Sequence, residues 1–283
     1  MCYTGTMNSG NQGEVKLGTL ILVGCGQMGS AMLRGWLARG AAERFHVVEP
    51  AGAPAALAGA AGVEFHRSAD DLSSALAPDA VVFAVKPQLI DEVLPAYRPW
   101  VRPGTLFVSI AAGTTIAGIT RHLGGAAIVR CMPNTPAAIG RAITVACPNS
   151  RVGAAQRRLC DALLAAIGDS TWVEDEALMD AVTAVSGSGP AYVFLLIEAL
   201  AEAGARAGLP GDLALKLARA TVAGAGELAR LSPETPARLR ENVTSPGGTT
   251  RAALDVLMAP NGLPELMERA VAAATARSRQ LAS

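Results

Sequence analysis

An α/β protein in two parts, an open sheet domain followed by an all-helical one, is what this chain of 283 residues leads one to expect. From residue 19 to about 173, short β-branched runs alternate with Ala/Leu stretches, the rhythm of βαβ units and a parallel sheet. After Glu174 no strand-like run follows, and Ala, Leu, Glu and Arg recur at helical period to the end. Hydrophobic residues make up 51% of the chain but aromatics only 4%, so the core is expected to come from aliphatic side chains and close helix packing, not from a β-sandwich. The division is a flexible tail over 1–17, a sheet domain over 18–174 and a helical domain over 175–283.

The first seventeen residues, MCYTGTMNSGNQGEVKL, are polar and Gly-rich, without the basic and apolar regions of a signal peptide, and Met7 is an alternative start. Strands are expected at TLILVG (19–24), FHVVE (45–49), VEF (63–65), AVVFAV (80–85), TLFVSI (105–110), AIVRCM (127–132), AITVAC (142–147) and STWVE (170–174). They read as buried on both faces. Helices are expected between them, as at 28–39 and 154–167. Beyond 174, breaks at SGSGP (186–190), GLPGD (208–212), LSPETP (231–236), TSPGGTT (244–250) and APNGLP (259–264) leave about five helices with no internal repeat. Such small-residue helices make a thin core for one copy, so this domain is expected to pack against a second chain.

Lys+Arg and Asp+Glu both number 24, so no whole-molecule field draws in nucleic acid or an anionic membrane. The greasiest run, residues 191–201, carries Glu198 and falls short of the ~20 residues of a membrane span, so no membrane partner is expected. Five cysteines, odd in number and never in a CxxC pair, signal neither a disulfide framework nor a zinc site. A reducing, cytoplasmic location and no metal are the corresponding expectations.

The chemistry begins at Gly24-Cys25-Gly26-Gln27-Met28-Gly29, which follows the first strand and opens a helix with the G-x-G-x-x-G spacing. Gly24 permits the tight turn, Gly26 lets backbone approach a pyrophosphate, and Gly29 allows close helix-strand contact, while free N–H groups at the helix start face the anion. Glu49 ends the second strand twenty residues after Gly29, where a carboxylate can accept from ribose hydroxyls. Together these make the first domain a Rossmann-type dinucleotide-binding domain. Glu49 would repel a 2′-phosphate and residues 51–53 supply no arginine, which favours NADH over NADPH. Arg44 or Arg67 folding across the pocket would favour NADPH instead.

Five further segments stand out: Ala84-Val85-Lys86-Pro87-Gln88, SIAAGTT (109–115), RCMPNTPA (130–137), SGSGPAY (186–192) and VTSPGGTT (243–250). The first three sit at strand ends, where ligand crevices of open α/β sheets form. Two glycines flanked by hydroxyls at 244–250, ahead of a helix, suit a small carboxylate, although a plain helix N-cap is equally compatible with the spacing. SGSGP reads equally as a helix break or a functional segment. With the glycine loop, these segments closely resemble the pyrroline-5-carboxylate reductase family from about residue 19 to the C-terminus.

The resemblance implies hydride transfer from NADH or NADPH to the cyclic imine 1-pyrroline-5-carboxylate, giving L-proline. By it, Gln27, Met28 and Val85 join the cofactor set, Lys86 and Pro87 border the ribose and phosphates, and Ala111 and Asn134 lie near the nicotinamide. Read from the residues alone, Lys86 also fits a salt bridge and Asn134 a turn cap. Still by resemblance, Ser245, Gly248 and Thr249 hold the substrate carboxylate, and Thr250 bonds the ring nitrogen and relays its proton. The family also implies a homodimer through the C-terminal helices, and dimers ringed into decamers. No histidine stands near any motif: His46, His66 and His122 read as structural or surface residues. Two rivals remain, a β-hydroxyacid dehydrogenase and a non-catalytic dinucleotide sensor. The first expects a lysine on the leading C-terminal helix, yet 190–209 contains none. The second is opposed by the Ser/Thr/Gly carboxylate clamp.

Overall fold

The computed structural model describes residues 17–281, so the expected tail, but for Leu17, and the alternative start at Met7 lie outside the described residues. The chain divides into two compact units, one running to Glu176 and the other beginning at Ala177.

In the first unit, β1 (Leu17–Val23), α1 (Gln27–Arg39), β2 (Ala42–Val48), β3 (Val63–His66), β4 (Ala80–Phe83), α2 (Ile90–Val93), β5 (Leu106–Ser109), α3 (Ile116–Leu123), β6 (Ala127–Met132), β7 (Ala142–Pro148), α4 (Ala154–Ala165) and β8 (Gly168–Trp172) follow in order. The strands form one sheet in the order β3-β2-β1-β4-β5-β6-β7-β8. Every neighbouring pair is parallel except β6 and β7, which correct the expectation of a wholly parallel sheet. The link between them, residues 133–141, is shorter than the dozen or so residues a parallel crossover needs, so the chain can only turn back.

Strict alternation sends successive side chains to opposite faces of the sheet. Leu20, Leu22, Val82 and Val108 join Trp36 of α1 and Leu163 of α4 on one side. Ile21, Val23, Phe83 and Phe107 meet Leu94, Tyr97 and Ile119 on the other. Burying the indole requires a partner for its N–H, and Trp36 Nε1 donates to the Leu163 carbonyl at 2.9 Å. Two sequence expectations need correction here. The outer strands β3 and β8 are half open to solvent, because an edge strand has neighbours on one side only. The few aromatics are also central to the core: Trp36, Tyr97, Phe83 and Phe107 are among the largest fully buried side chains, with Phe83 and Tyr97 edge to face at 5.2 Å.

The second unit is helical throughout its described residues: α5 (Met179–Val182), α6 (Gly189–Arg206), α7 (Gly211–Leu231), α8 (Pro236–Asn242), α9 (Thr249–Leu257) and α10 (Leu263–Leu281). The breaks expected at 208–212, 231–236, 244–250 and 259–264 fall between these helices, and SGSGP falls at the junction of α5 and α6, but there the backbone stays helical. There the helix continues through a π-helical turn, Thr183–Gly187, in which the Ser188 amide reaches back five residues to the Thr183 carbonyl at 2.8 Å. Pro190 explains the wider turn: its ring has no N–H and would collide with the Ser186 carbonyl in a regular α-helix. Because the helix is not interrupted, Glu176–Arg206 is long and apolar enough to cross a membrane by length and composition, which corrects the argument from the short run 191–201.

Very little of this unit is buried. No residue of α6 is, and Val193, Phe194, Leu195, Leu196 and Leu200 are 43–63% exposed. Aliphatic surface on that scale marks an interaction face, not a finished core.

Candidate active site

β1 lies between β2 and β4, so the chain leaves it in opposite lateral directions, and the crevice at the carboxyl ends of β1 and β4 is the point where ligands enter such sheets. A cavity of about 640 Å³ opens there, its wall including Gly24, Gly26, Glu49, Val85 and Lys86. Gln27, Met28 and Gly29 form the first turn of α1, and Pro87 starts the short turn after Lys86. Ala111 and Asn134 are buried and do not line this cavity.

Each loop glycine has a geometric reason. Gly24 has φ +90°, and a Cβ there would sit 2.7 Å from the Ala84 carbonyl oxygen. A Cβ on Gly29 would stand 2.2 Å from the Gly24 carbonyl oxygen, so α1 can approach the loop only if this residue has no side chain. At Gly26 the added carbon meets nothing within 4 Å, so its backbone borders open space. Gly26 also caps α1 without a side-chain bond, leaving first-turn amides turned outward to an anion.

Glu49 is bound into the loop. Its Oε2 accepts from the Cys25 amide at 2.7 Å and its Oε1 from the Ala51 amide at 3.2 Å. The Cys25 thiol is pushed up by burial, an effect the Ser30 hydroxyl opposes and the Glu49 charge reinforces, so it stays neutral beside the place a pyrophosphate would take. Arg67 and Ser68 line the same cavity and Arg44 does not. Lys86 is exposed and makes no ion pair among the described residues, so the salt-bridge alternative finds no support. Asn134 does not cap the turn Thr135–Ile139; its Oδ1 instead accepts from the Ile143 amide of β7 at 3.1 Å.

In the second unit the candidate clamp is a tight turn leading into α9. Gly247 has φ +72°, and a Cβ on Gly248 would lie 2.5 Å from Ser245 Oγ. Gly248 caps α9 with no side chain to bond the first-turn amides, so those of Thr249 and Thr250 have no intrahelical acceptor. The Gly248 amide itself donates to the Ser245 carbonyl at 3.1 Å. Ser245 and Thr249 are exposed and Thr250 is half-buried, so the turn brings all four predicted residues together with their polar atoms near solvent.

Two arrangements were not visible in the sequence. Arg130 of β6, only 5% exposed, donates to Glu176 Oε1 at 2.8 Å, and the same oxygen accepts from the Ile116 amide at the start of α3 at 2.8 Å. The partners lie 46 and 60 residues apart, beyond any motif window. The strand register also sets His46 against Glu64 and brings His66 beside them.

Comparison with known proteins gives matches in both parts of the chain. Residues 176–281 match the family described as pyrroline-5-carboxylate reductase dimerisation, and residues 19–113 match one described as NADP oxidoreductase, coenzyme F420-dependent. The chain is 42% identical to a pyrroline-5-carboxylate reductase of Pseudomonas aeruginosa, over 93% of this chain and 96% of that one. A pyrroline-5-carboxylate reductase structure from Coxiella burnetii superposes with a TM-score of 0.85 at 34% identity, covering 93% of this chain and 98% of the other. A Plasmodium falciparum pyrroline carboxylate reductase structure with NADP bound gives 0.79 at 30%, covering 94% and 98%. With identity of this order sustained across both units, the chain belongs to the pyrroline-5-carboxylate reductase family.

Proposed function

We propose that the chain reduces 1-pyrroline-5-carboxylate to L-proline at the expense of a reduced nicotinamide dinucleotide, with NADH preferred. The observation that carries this reading is the occurrence in one chain of the open Gly24–Gly29 crevice and a C-terminal region matching the reductases' dimerisation family. The loop fits a dinucleotide, since bare backbone at Gly26 faces space and the α1 amides point outward. When bound, the cofactor supplies the hydride that goes to the imine carbon. The protein's part is to hold the ring in attack geometry and to place a proton on its nitrogen. Thr250 is the residue assigned to the nitrogen. Ser245 and the Thr249 amide grip the carboxylate, and the Gly248 amide shares its proton between the Ser245 carbonyl and the ligand. Absence of any lysine from α6 removes the group that a β-hydroxyacid dehydrogenase would require.

The NADH preference rests on Glu49, whose carboxylate lines the cavity and repels a 2′-phosphate. Arg67 and Ser68 act the other way, but Glu49 is fixed by two amides, which keeps its charge at the ribose end. The exposed aliphatic face of α6 supports a homodimer through the C-terminal helices, with a decamer as the higher assembly. A protein partner on that face, in place of lipid, also accounts for the apolar stretch Glu176–Arg206. The free, buried thiols of Cys25, Cys131, Cys147 and Cys160 support a reducing, cytoplasmic location.

The test is to mix purified protein with pyrroline-5-carboxylate and either reduced cofactor while following nicotinamide absorbance. Turnover with NADH exceeding that with NADPH is expected. No turnover with either cofactor overturns the reading, and a strong NADPH preference overturns its cofactor half.

A further inference from the structure

The parallel pairing of β2 with β3 sets His46 opposite Glu64, and His66, two residues along β3, falls on the same face of the sheet. The three side chains converge. His46 Nδ1 lies 3.1 Å from His66 Nε2 and 3.6 Å from Glu64 Oε2, and one ligand atom from each residue falls within 4.8 Å of the other two. For bonds of about 2.0–2.2 Å to a tetrahedral ion, neighbouring ligand atoms stand roughly 3.3 Å apart, so the observed spacings straddle what such an ion imposes. His46 is only 6% exposed and its Nε2 is buried with no hydrogen-bond partner, so the polar engagement of this ring is concentrated at the end that faces Glu64 and His66. Glu64 is exposed, which leaves a route for an ion and room for water at the remaining coordination position. None of the three residues lines the candidate cofactor cavity.

We propose that His46 Nδ1, His66 Nε2 and Glu64 form a binding site for one late first-row divalent metal ion, zinc above all, at the outer edge of the sheet. Two imidazoles and one carboxylate suit zinc, whereas magnesium and calcium prefer oxygen donors throughout. The ion would bridge the edge strand β3 to β2, the strand that pairs with β1 beside the glycine loop. No role in hydride transfer is assigned to it.

The test uses the full chain, stripped with chelator and titrated by calorimetry with zinc chloride, then with cobalt(II) as a visible probe. One ion per chain is expected, with cobalt d–d bands of a low-coordinate site. His66→Ala and Glu64→Gln should each lower the affinity ~10-fold or more, at least what loss of a supporting group alone costs such sites. Both changes lie at the sheet edge, and reductase turnover without added metal should stay unchanged. His122→Ala, whose ring pairs with Asp91 at 2.9 Å, serves as the control for adventitious surface binding and should bind as the parent does. No stoichiometric uptake by the parent chain overturns the proposal, as does uptake that both edge variants retain in full.

Discussion

Replacing Gly26 and Gly29 separately by alanine tests whether the crevice is a dinucleotide site, because the structure assigns the two added methyl groups opposite consequences. At Gly29 the new carbon would stand 2.2 Å from the Gly24 carbonyl oxygen and 3.3 Å from Ala84 Cβ, so α1 must shift by about an ångström. Forced overpacking of this kind costs typically ~1–3 kcal/mol. At ~2–4 °C per kcal/mol for a chain of this size, the melting temperature should fall by several degrees. At Gly26 the methyl meets nothing within 4 Å, and φ of −65° is a value any residue adopts, so the fold should tolerate it or gain a few tenths of a kcal/mol from a stiffer unfolded chain. Yet that methyl occupies the space through which backbone would approach a pyrophosphate. NADH affinity should therefore fall by ~100-fold, about 2.8 kcal/mol. Thermal denaturation and fluorescence titration with NADH separate the two effects. A Gly26→Ala protein that binds NADH as the parent does would refute the placement of the pyrophosphate. A Gly29→Ala protein of unchanged melting temperature would refute the packing argument.

The remaining expectations concern cofactor choice, proton transfer, assembly and thiol chemistry. Glu49→Ser removes both a ribose acceptor and a charge that repels a 2′-phosphate, so kcat/KM with NADPH should rise relative to NADH; an unchanged ratio would sink the role given to this carboxylate. Thr250→Ala should lower kcat by ~10² while leaving NADH affinity intact, and near-normal turnover would remove the threonine from proton transfer. Mixing Gly26→Ala chains with Thr250→Ala chains under exchange conditions and at low NADH should raise activity above that of either variant alone if each site is completed by two chains, whereas exchanged mixtures no better than the separate variants would assign the whole site to one chain. Burial pushes the Cys147 thiol up to about 11, and Cys25 and Cys131 are raised as well, so the reactive thiolate is scarce near neutral pH. Peptide mapping after brief alkylation at pH 7.5 should find Cys25, Cys131, Cys147 and Cys160 unmodified until the chain is denatured, and rapid native labelling of Cys147 would contradict its burial.

Local signals in the sequence determined a good deal. The β-branched runs located all eight strands to within a few residues, the inner ones most plainly, because a strand buried on both faces must be almost wholly apolar over most of its length. The glycine loop, with Glu49 following the second strand, was readable as a dinucleotide site, since each of its constraints operates on a short loop and the strand and helix beside it. The motifs around 243–250 carried the resemblance to the reductases for a similar reason: a turn and a helix start are encoded by consecutive residues. Tertiary structure alone decided what depends on partners far apart in the chain. It turned β7 antiparallel through a link too short for a crossover, and it carried a helix through SGSGP by widening one turn around Pro190. It also closed the Arg130–Glu176 pair across 46 residues, and it set His46, read as a structural or surface residue, against Glu64 and His66 through the register of two strands. Periodicity records which face of an element is apolar, but it carries no information about which other element lies against that face, and these contacts are all of the second kind.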